Sequence, residues 1–160
     1  MAKPLRISVW NANGLCNHIQ EIIPFIQRSN LDILLISETH FTSRSYVKIP
    51  NYIVYNTPHP DETAHGGTAI IIRQNVKHYT REEYKQEHIQ ATSITIQDDI
   101  GELNIAAVYS PPKHIIKEAG YTRFFRTLGR RFLAGGDYNA KHVTWAQESQ
   151  QPKEGSSLKQ

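Results

Sequence analysis

Apolar positions along the chain recur at two periods. LRISVWNANGL alternates from Leu5 to Trp10 and breaks at Asn13-Gly14, the pattern of a strand entering a tight loop. In NHIQEIIPFIQRSN, Ile19, Ile22, Ile23 and Ile26 fall at helical spacing, with Asn17 as a cap and Gln20 three residues on. Pro24 either kinks this helix or lies in its first turn. LDILLISETH is apolar from Ile33 to Ile36, as a strand buried on both faces would be.

Four short strand-like runs follow, NYIVYNT, GGTAIIIR, ATSITIQ and ELNIAAVYS, separated by turn signals such as Pro58-His59-Pro60 and Asp98 to Gly101. Only REEYKQEH between them has any helical pattern, and it is too polar for a core. A run of strands without crossovers predicts a largely antiparallel sheet. AGYTRFFRTLGRR then sets Tyr121, Phe124, Phe125 and Leu128 on one helical side, and FLAGGD reads as another buried strand. From Ala146 onward almost nothing is apolar, which predicts a disordered tail over 146–160 behind a domain at 4–145.

The 160 residues suffice for one domain with a sizeable core, and the formal charge of +3 permits a polyanionic partner without demanding one. The single cysteine, Cys16, excludes an internal disulfide and reads as a small buried filler. No run reaches membrane-spanning length and the N-terminus lacks the apolar core of a signal peptide, so an intracellular protein without a membrane partner is expected.

Polar clusters close several of the strand-like runs. Asn11 and Asn13 follow the first, Glu38 and His40 follow LLIS, Tyr109 ends AAVY, and Asp137, Asn139 and His142 lie in GGDYNAKH. Each alone has a plain reading: Asn13-Gly14 is a turn, and Tyr109 is a half-buried strand tyrosine. Together, if the ends converge, they make a set of carboxylates, amides and a phenol suited to a hard cation such as Mg²⁺, and unsuited to structural zinc. His65, His78, His88 and His114 read as solvated loop or surface residues, and the arginines at 123, 126, 130 and 131 as a solvated helix face.

WNANGL, LLISETHF, GGTAIII, AAVYSPP and GGDYNAKH occur in the order of the endonuclease/exonuclease/phosphatase superfamily, and over residues 4–145 the chain resembles the endonuclease domain of jockey-like non-LTR retrotransposons. The resemblance implies a four-layer α/β sandwich of the DNase I-like type. It implies a Mg²⁺-dependent nuclease, with Mn²⁺ a possible substitute, that nicks double-stranded DNA at a nuclear site to prime a reverse transcriptase domain of the same polyprotein. Asn11 matches the metal- and phosphate-site asparagine, and Glu38 the main metal ligand. Tyr109 matches the tyrosine at the scissile phosphate, Asp137 the aspartate that orients or activates water, and Asn139 the amide that stabilises the phosphoryl charge. Arg123, Arg126 and His142 are further candidates for phosphate contact, and His142 is typical of the retrotransposon branch without being catalytic.

The Ser-Asp-His motif that closes such domains is not found here, and the expectation is a fold lacking its C-terminal strands, with an uncovered sheet edge and activity reduced by orders of magnitude. Two other readings stay open. One is a phosphatase of the same superfamily acting on a phosphoinositide or small phosphoester. The other is a non-catalytic remnant that binds nucleic acid.

Overall fold

The computed structural model describes residues 4–113 and 116–139. The first sheet holds β1 (Ile7–Asn11), β2 (Ile33–Ser37), β3 (Tyr52–Thr57) and β4 (Thr68–Arg73) in the order β1-β2-β4-β3. The second is built on β5 (His78–Thr80), β7 (Gln90–Gln97), β8 (Glu102–Tyr109) and β9 (Phe132–Asp137) in that order, with β6 (Tyr84–Lys85) also on β7. Each sheet has one parallel pair, β1 with β2 and β8 with β9, and the other pairings are antiparallel. A parallel pair needs a crossover. Helix α1 (Ile19–Arg28) supplies the first and α2 (Glu118–Thr127) the second.

The period of two along each strand divides its side chains between layers. Leu34, Ile36, Ala69 and Ile71 pack outward with Ile22 and Ile26 of α1. Ile33, Leu35, Ile70 and Ile72 point the other way and meet Ile94, Ile96, Ile105 and Ala107 of the second sheet. Ala106 and Val108 then face Tyr121, Phe124 and Leu128 on the α2 side. Three apolar interfaces make the four layers expected: helix, sheet, sheet, helix. Each fully buried isoleucine contributes about 1.5–3 kcal/mol, so the central β2 and β4 anchor the fold. Towards one end, Thr92 joins the sheets by hydrogen bonds to Thr68 and Thr57 Oγ1, each at 2.9 Å.

Several local expectations are corrected. Cys16 lies exposed in a 3-10 turn (Leu15–His18) and fills no core. Helix α1 starts after His18 with no side-chain cap, so Asn17 does not cap it, and Pro24 sits inside the helix. REEYKQEH contains the short strand β6, because the polar stretch pairs with β7. FLAGGD is a strand but not a buried one: Phe132 is 37% and Leu133 43% exposed. Among the described residues β9 pairs only with β8, so it is an edge. The strand continues through Gly135 and Gly136 to Asp137. The tail at 146–160, His114 and His142 lie outside the described residues.

Candidate active site at the strand ends

Parallel pairing sets two strand ends side by side. Asn11 is in register with Ser37, the residue before Glu38, and Tyr109 is in register with Asp137. The two sheets bring these ends to one place. The Asn11 side-chain amide donates from Nδ2 to Glu38 Oε2 and also to Asp137 Oδ2, the latter at 3.0 Å. Its Oδ1 accepts the Asn13 backbone N–H at 3.1 Å. That bond sets the amide's orientation, because a flipped group would point oxygen at two carboxylates and NH₂ at an N–H.

Asp137 is held from its other side. Its Oδ1 accepts the Asn139 backbone N–H at 3.0 Å, and its main-chain carbonyl accepts the Ser110 N–H at 2.9 Å. Asn139 Nδ2 in turn donates to the Ser110 carbonyl at 2.7 Å. His40 Nε2 stands 3.6 Å from Glu38 Oε1. The backbone is left-handed at Asn13, Glu38, His40 and Asn139, with φ of 44°, 57°, 56° and 46°. Such conformations cost about 1–3 kcal/mol each and persist where surrounding bonds impose them. Here they do: Gly14 N–H donates to the Glu38 carbonyl at 2.9 Å, and His40 N–H donates to the Gly66 carbonyl at 2.9 Å.

Tyr109 is buried against this cluster. Burial, followed by the Glu38 and Asp137 charges, pushes its phenol up to about 12. It is therefore a neutral hydrogen-bond donor at physiological pH. Among the described residues no lysine or arginine is ion-paired with Glu38 or Asp137. Two carboxylates converging on one amide, with hard oxygen donors and no fixed cationic partner, fit a divalent metal ion.

Asn11, Glu38, Tyr109, Asp137 and Asn139 are thus brought together. Arg123 and Arg126 are exposed on α2, with no hydrogen bond or ion pair to the cluster among the described residues. Arg126 lies in the last turn, where the Leu128 carbonyl beyond it accepts from Asn104 Nδ2, near the starts of β8 and β9. Sequence reasoning missed Gln90. Fully buried, it accepts the Gly67 N–H on Oε1 at 3.2 Å and donates from Nε2 to the Gln86 carbonyl at 2.7 Å. It thereby ties the β3–β4 loop beside Tyr109, and its only signal was a polar residue opening an apolar run.

Fold and site together define a DNase I-like α/β sandwich with an acidic, amide-rich site at the carboxyl ends of its parallel strand pairs. The chain belongs to the Endonuclease/Exonuclease/phosphatase family, whose model matches residues 8–157. It is 34% identical over 146 residues to the RNA-directed DNA polymerase from mobile element jockey of Drosophila melanogaster, covering 91% of this chain and 16% of that protein. It is 32% identical over 152 residues to the probable RNA-directed DNA polymerase from transposon BS of the same species, covering 94% of this chain and 17% of that protein. The chain therefore spans under a fifth of the length of these relatives. Its fold matches the endonuclease domain of TRAS1, a telomere-specific non-LTR retrotransposon, with a TM-score of 0.65 at 23% identity, covering 89% of this chain and 64% of that one.

Proposed function

We propose that this chain is the endonuclease domain of a non-LTR retrotransposon, hydrolysing a phosphodiester of double-stranded DNA with the help of a divalent cation, Mg²⁺ or Mn²⁺. The observation that carries the reading is the Asn11 amide bridging Glu38 and Asp137, which gathers the ends of both sheets into one acidic site. That two relatives are named as RNA-directed DNA polymerases supports the setting proposed with it, in which a nick at a nuclear target leaves a 3′ hydroxyl for a polymerase domain of the same polyprotein to extend.

Glu38 is the residue to hold the cation, which when bound neutralises charge on the non-bridging phosphate oxygens. Asn11 gives both of its amide hydrogens to the carboxylates, so it holds the metal-binding acid in place beside Asp137. Asp137, oriented by the Asn139 N–H and the Asn11 amide, accepts the proton of the attacking water. Asn139 spends one amide hydrogen on the Ser110 carbonyl and keeps the other for a phosphate oxygen. Tyr109 donates its hydroxyl to the same group.

Supercoiled plasmid incubated with the protein and Mg²⁺ is expected to become open-circular, and EDTA to prevent it. The nicks are expected to be extendable by a DNA polymerase without phosphatase treatment. Release of inorganic phosphate from small phosphoesters without nicking would select the phosphatase reading. DNA binding that needs no Mg²⁺ and survives Glu38→Ala, without nicking, would select the non-catalytic one.

Tyr109→Phe is expected to lower the nicking rate by about 10- to 100-fold with little change in the melting temperature. Because the folded phenol titrates near 12 and the unfolded one near 10, its protonated form contributes stability in full below pH 10, and this is lost as pH rises through 12. Activity should accordingly show no loss from phenol ionisation up to about pH 10. A pH–rate profile of the parent and the Phe variant, with tyrosinate absorbance in parallel, checks this.

A further inference from the structure

Between β3 and β4, the stretch HPDETAH places two histidines around an aspartate. His59 is buried, whereas Asp61 and His65 are half exposed. The loop is drawn tight by its own bonds: Thr63 N–H and Oγ1 donate to Asp61 Oδ1 at 2.9 and 2.8 Å, and Glu62 N–H donates to the His59 carbonyl at 2.8 Å. One ligand atom from each of His59, Asp61 and His65 lies within 4.8 Å of the others, and the two imidazoles sit with ring centroids 4.0 Å apart.

The hydrogen bonds decide which nitrogens carry lone pairs. Thr63 spends its single hydroxyl proton on Asp61, so at 2.7 Å it accepts from His65 Nδ1. That leaves the His65 Nε2 lone pair facing Asp61 Oδ2 at 3.5 Å. The Asp61 backbone N–H donates to His59 Nδ1 at 3.3 Å, a long bond that occupies the one lone pair of this nitrogen until an ion takes its place, and the nitrogen lies 3.0 Å from Asp61 Oδ1. Two imidazole nitrogens thus stand against one carboxylate, an arrangement that a bound cation stabilises. The carboxylate turns one oxygen to each ring, Oδ1 to His59 and Oδ2 to His65, so it stands between the two imidazoles. A hydroxyl that orients a ligating imidazole through its other nitrogen is the usual support of such a site.

We propose that His59, Asp61 and His65 bind a divalent transition-metal ion of the imidazole-preferring class, represented by Zn²⁺, at a site separate from the Glu38 cluster. Two imidazoles and one carboxylate suit zinc and disfavour Mg²⁺, which prefers oxygen. The ion stiffens the β3–β4 loop, whose Gly66 carbonyl accepts the His40 N–H and whose Gly67 carbonyl accepts the Thr39 N–H, so it braces the backbone that carries Glu38. The site needs no nuclease activity to exist.

Calorimetric titration of the full, untagged chain with ZnCl₂ near neutral pH tests it. One zinc per chain is expected, with His65→Asn and Asp61→Asn each weakening binding by at least about tenfold and Thr63→Val by about tenfold through the unsupported imidazole. Glu38→Gln is expected to leave the affinity unchanged. The same His65→Asn change should abolish the visible bands of the Co²⁺-loaded chain. His65 and Asp61 are half exposed, so their variants keep the fold, which a melting curve verifies. Absence of zinc binding, or binding that His65→Asn retains and Glu38→Gln removes, overturns the proposal.

Discussion

Asp137→Asn is expected to reduce plasmid nicking by at least about 1,000-fold, equivalent to roughly 4 kcal/mol of transition-state stabilisation, while leaving the protein folded. The change removes the carboxylate charge at the end of β9 and the group placed to take a proton from water. It retains what the fold uses: the residue 137 carbonyl still accepts the Ser110 N–H, and an amide oxygen can still accept the Asn139 N–H. On the other side the new NH₂ would confront the Asn11 nitrogen that now donates to Asp137 Oδ2, so Asn11 swings towards Glu38 alone. Removing one of two neighbouring carboxylates relieves their repulsion. Stability should therefore hold or rise by up to about 1 kcal/mol, the usual relation between a functional charge cluster and the fold that tolerates it. Parallel measurement of nicking rate and urea midpoint checks both. A variant that nicks within about tenfold of the parent would remove Asp137 from the reaction.

Gly136→Ala should be the most destabilising single change in the strand that delivers Asp137. A Cβ at residue 136 would lie 1.9 Å from the Val108 carbonyl oxygen and 2.8 Å from its carbonyl carbon, and the backbone is at φ 156°. Those atoms belong to β8, which is paired with β9 at this step, so no side chain can rotate away. The strands must separate, and the Tyr109–Asp137 register goes with them. A loss above about 4 kcal/mol, or failure to accumulate as soluble protein, is expected. Gly135→Ala provides the contrast. There a Cβ meets Val9 Cγ2 at 2.7 Å and Leu35 Cδ1 at 3.1 Å, the ends of side chains that can yield, and about 1–3 kcal/mol is expected. Urea unfolding of both variants should rank them in that order; equal costs would show that β8 and β9 do not approach each other as described.

The strands were readable because their signal is local. Ile33 to Ile36 could be assigned to a strand covered on both faces since the run is apolar throughout, and the structure sets its alternate residues, with those of Thr68 to Ile72 beside it, in two cores. The helices were readable for the same reason, from Ile22 and Ile26 in one and Tyr121 and Phe124 in the other. Composition misled where exposure depends on position in a sheet. FLAGGD has the residues of a buried strand, yet Phe132 and Leu133 are open because β9 lies at an edge of the described sheet. Cys16 follows the same lesson on a turn. His78, taken for a surface residue, is half-buried, with Nδ1 against the Val76 carbonyl and Nε2 against the Tyr55 hydroxyl.

From the amino-acid order alone came the fold class, the family resemblance and the acids, amides and phenol at the strand ends. Periodicity and end chemistry are written within a few residues of one another, so a linear reading reaches them. Tertiary structure alone decided that Asn11 donates its nitrogen to both Glu38 and Asp137, residues 27 and 126 positions away. It also decided that the end of α2 carrying Arg126 lies by the starts of β8 and β9, and that a ligand atom from each of His59, Asp61 and His65 lies within 4.8 Å of the others. Those relations depend on strand order, register and the choice of hydrogen-bond partner, which are settled only when the two sheets pack.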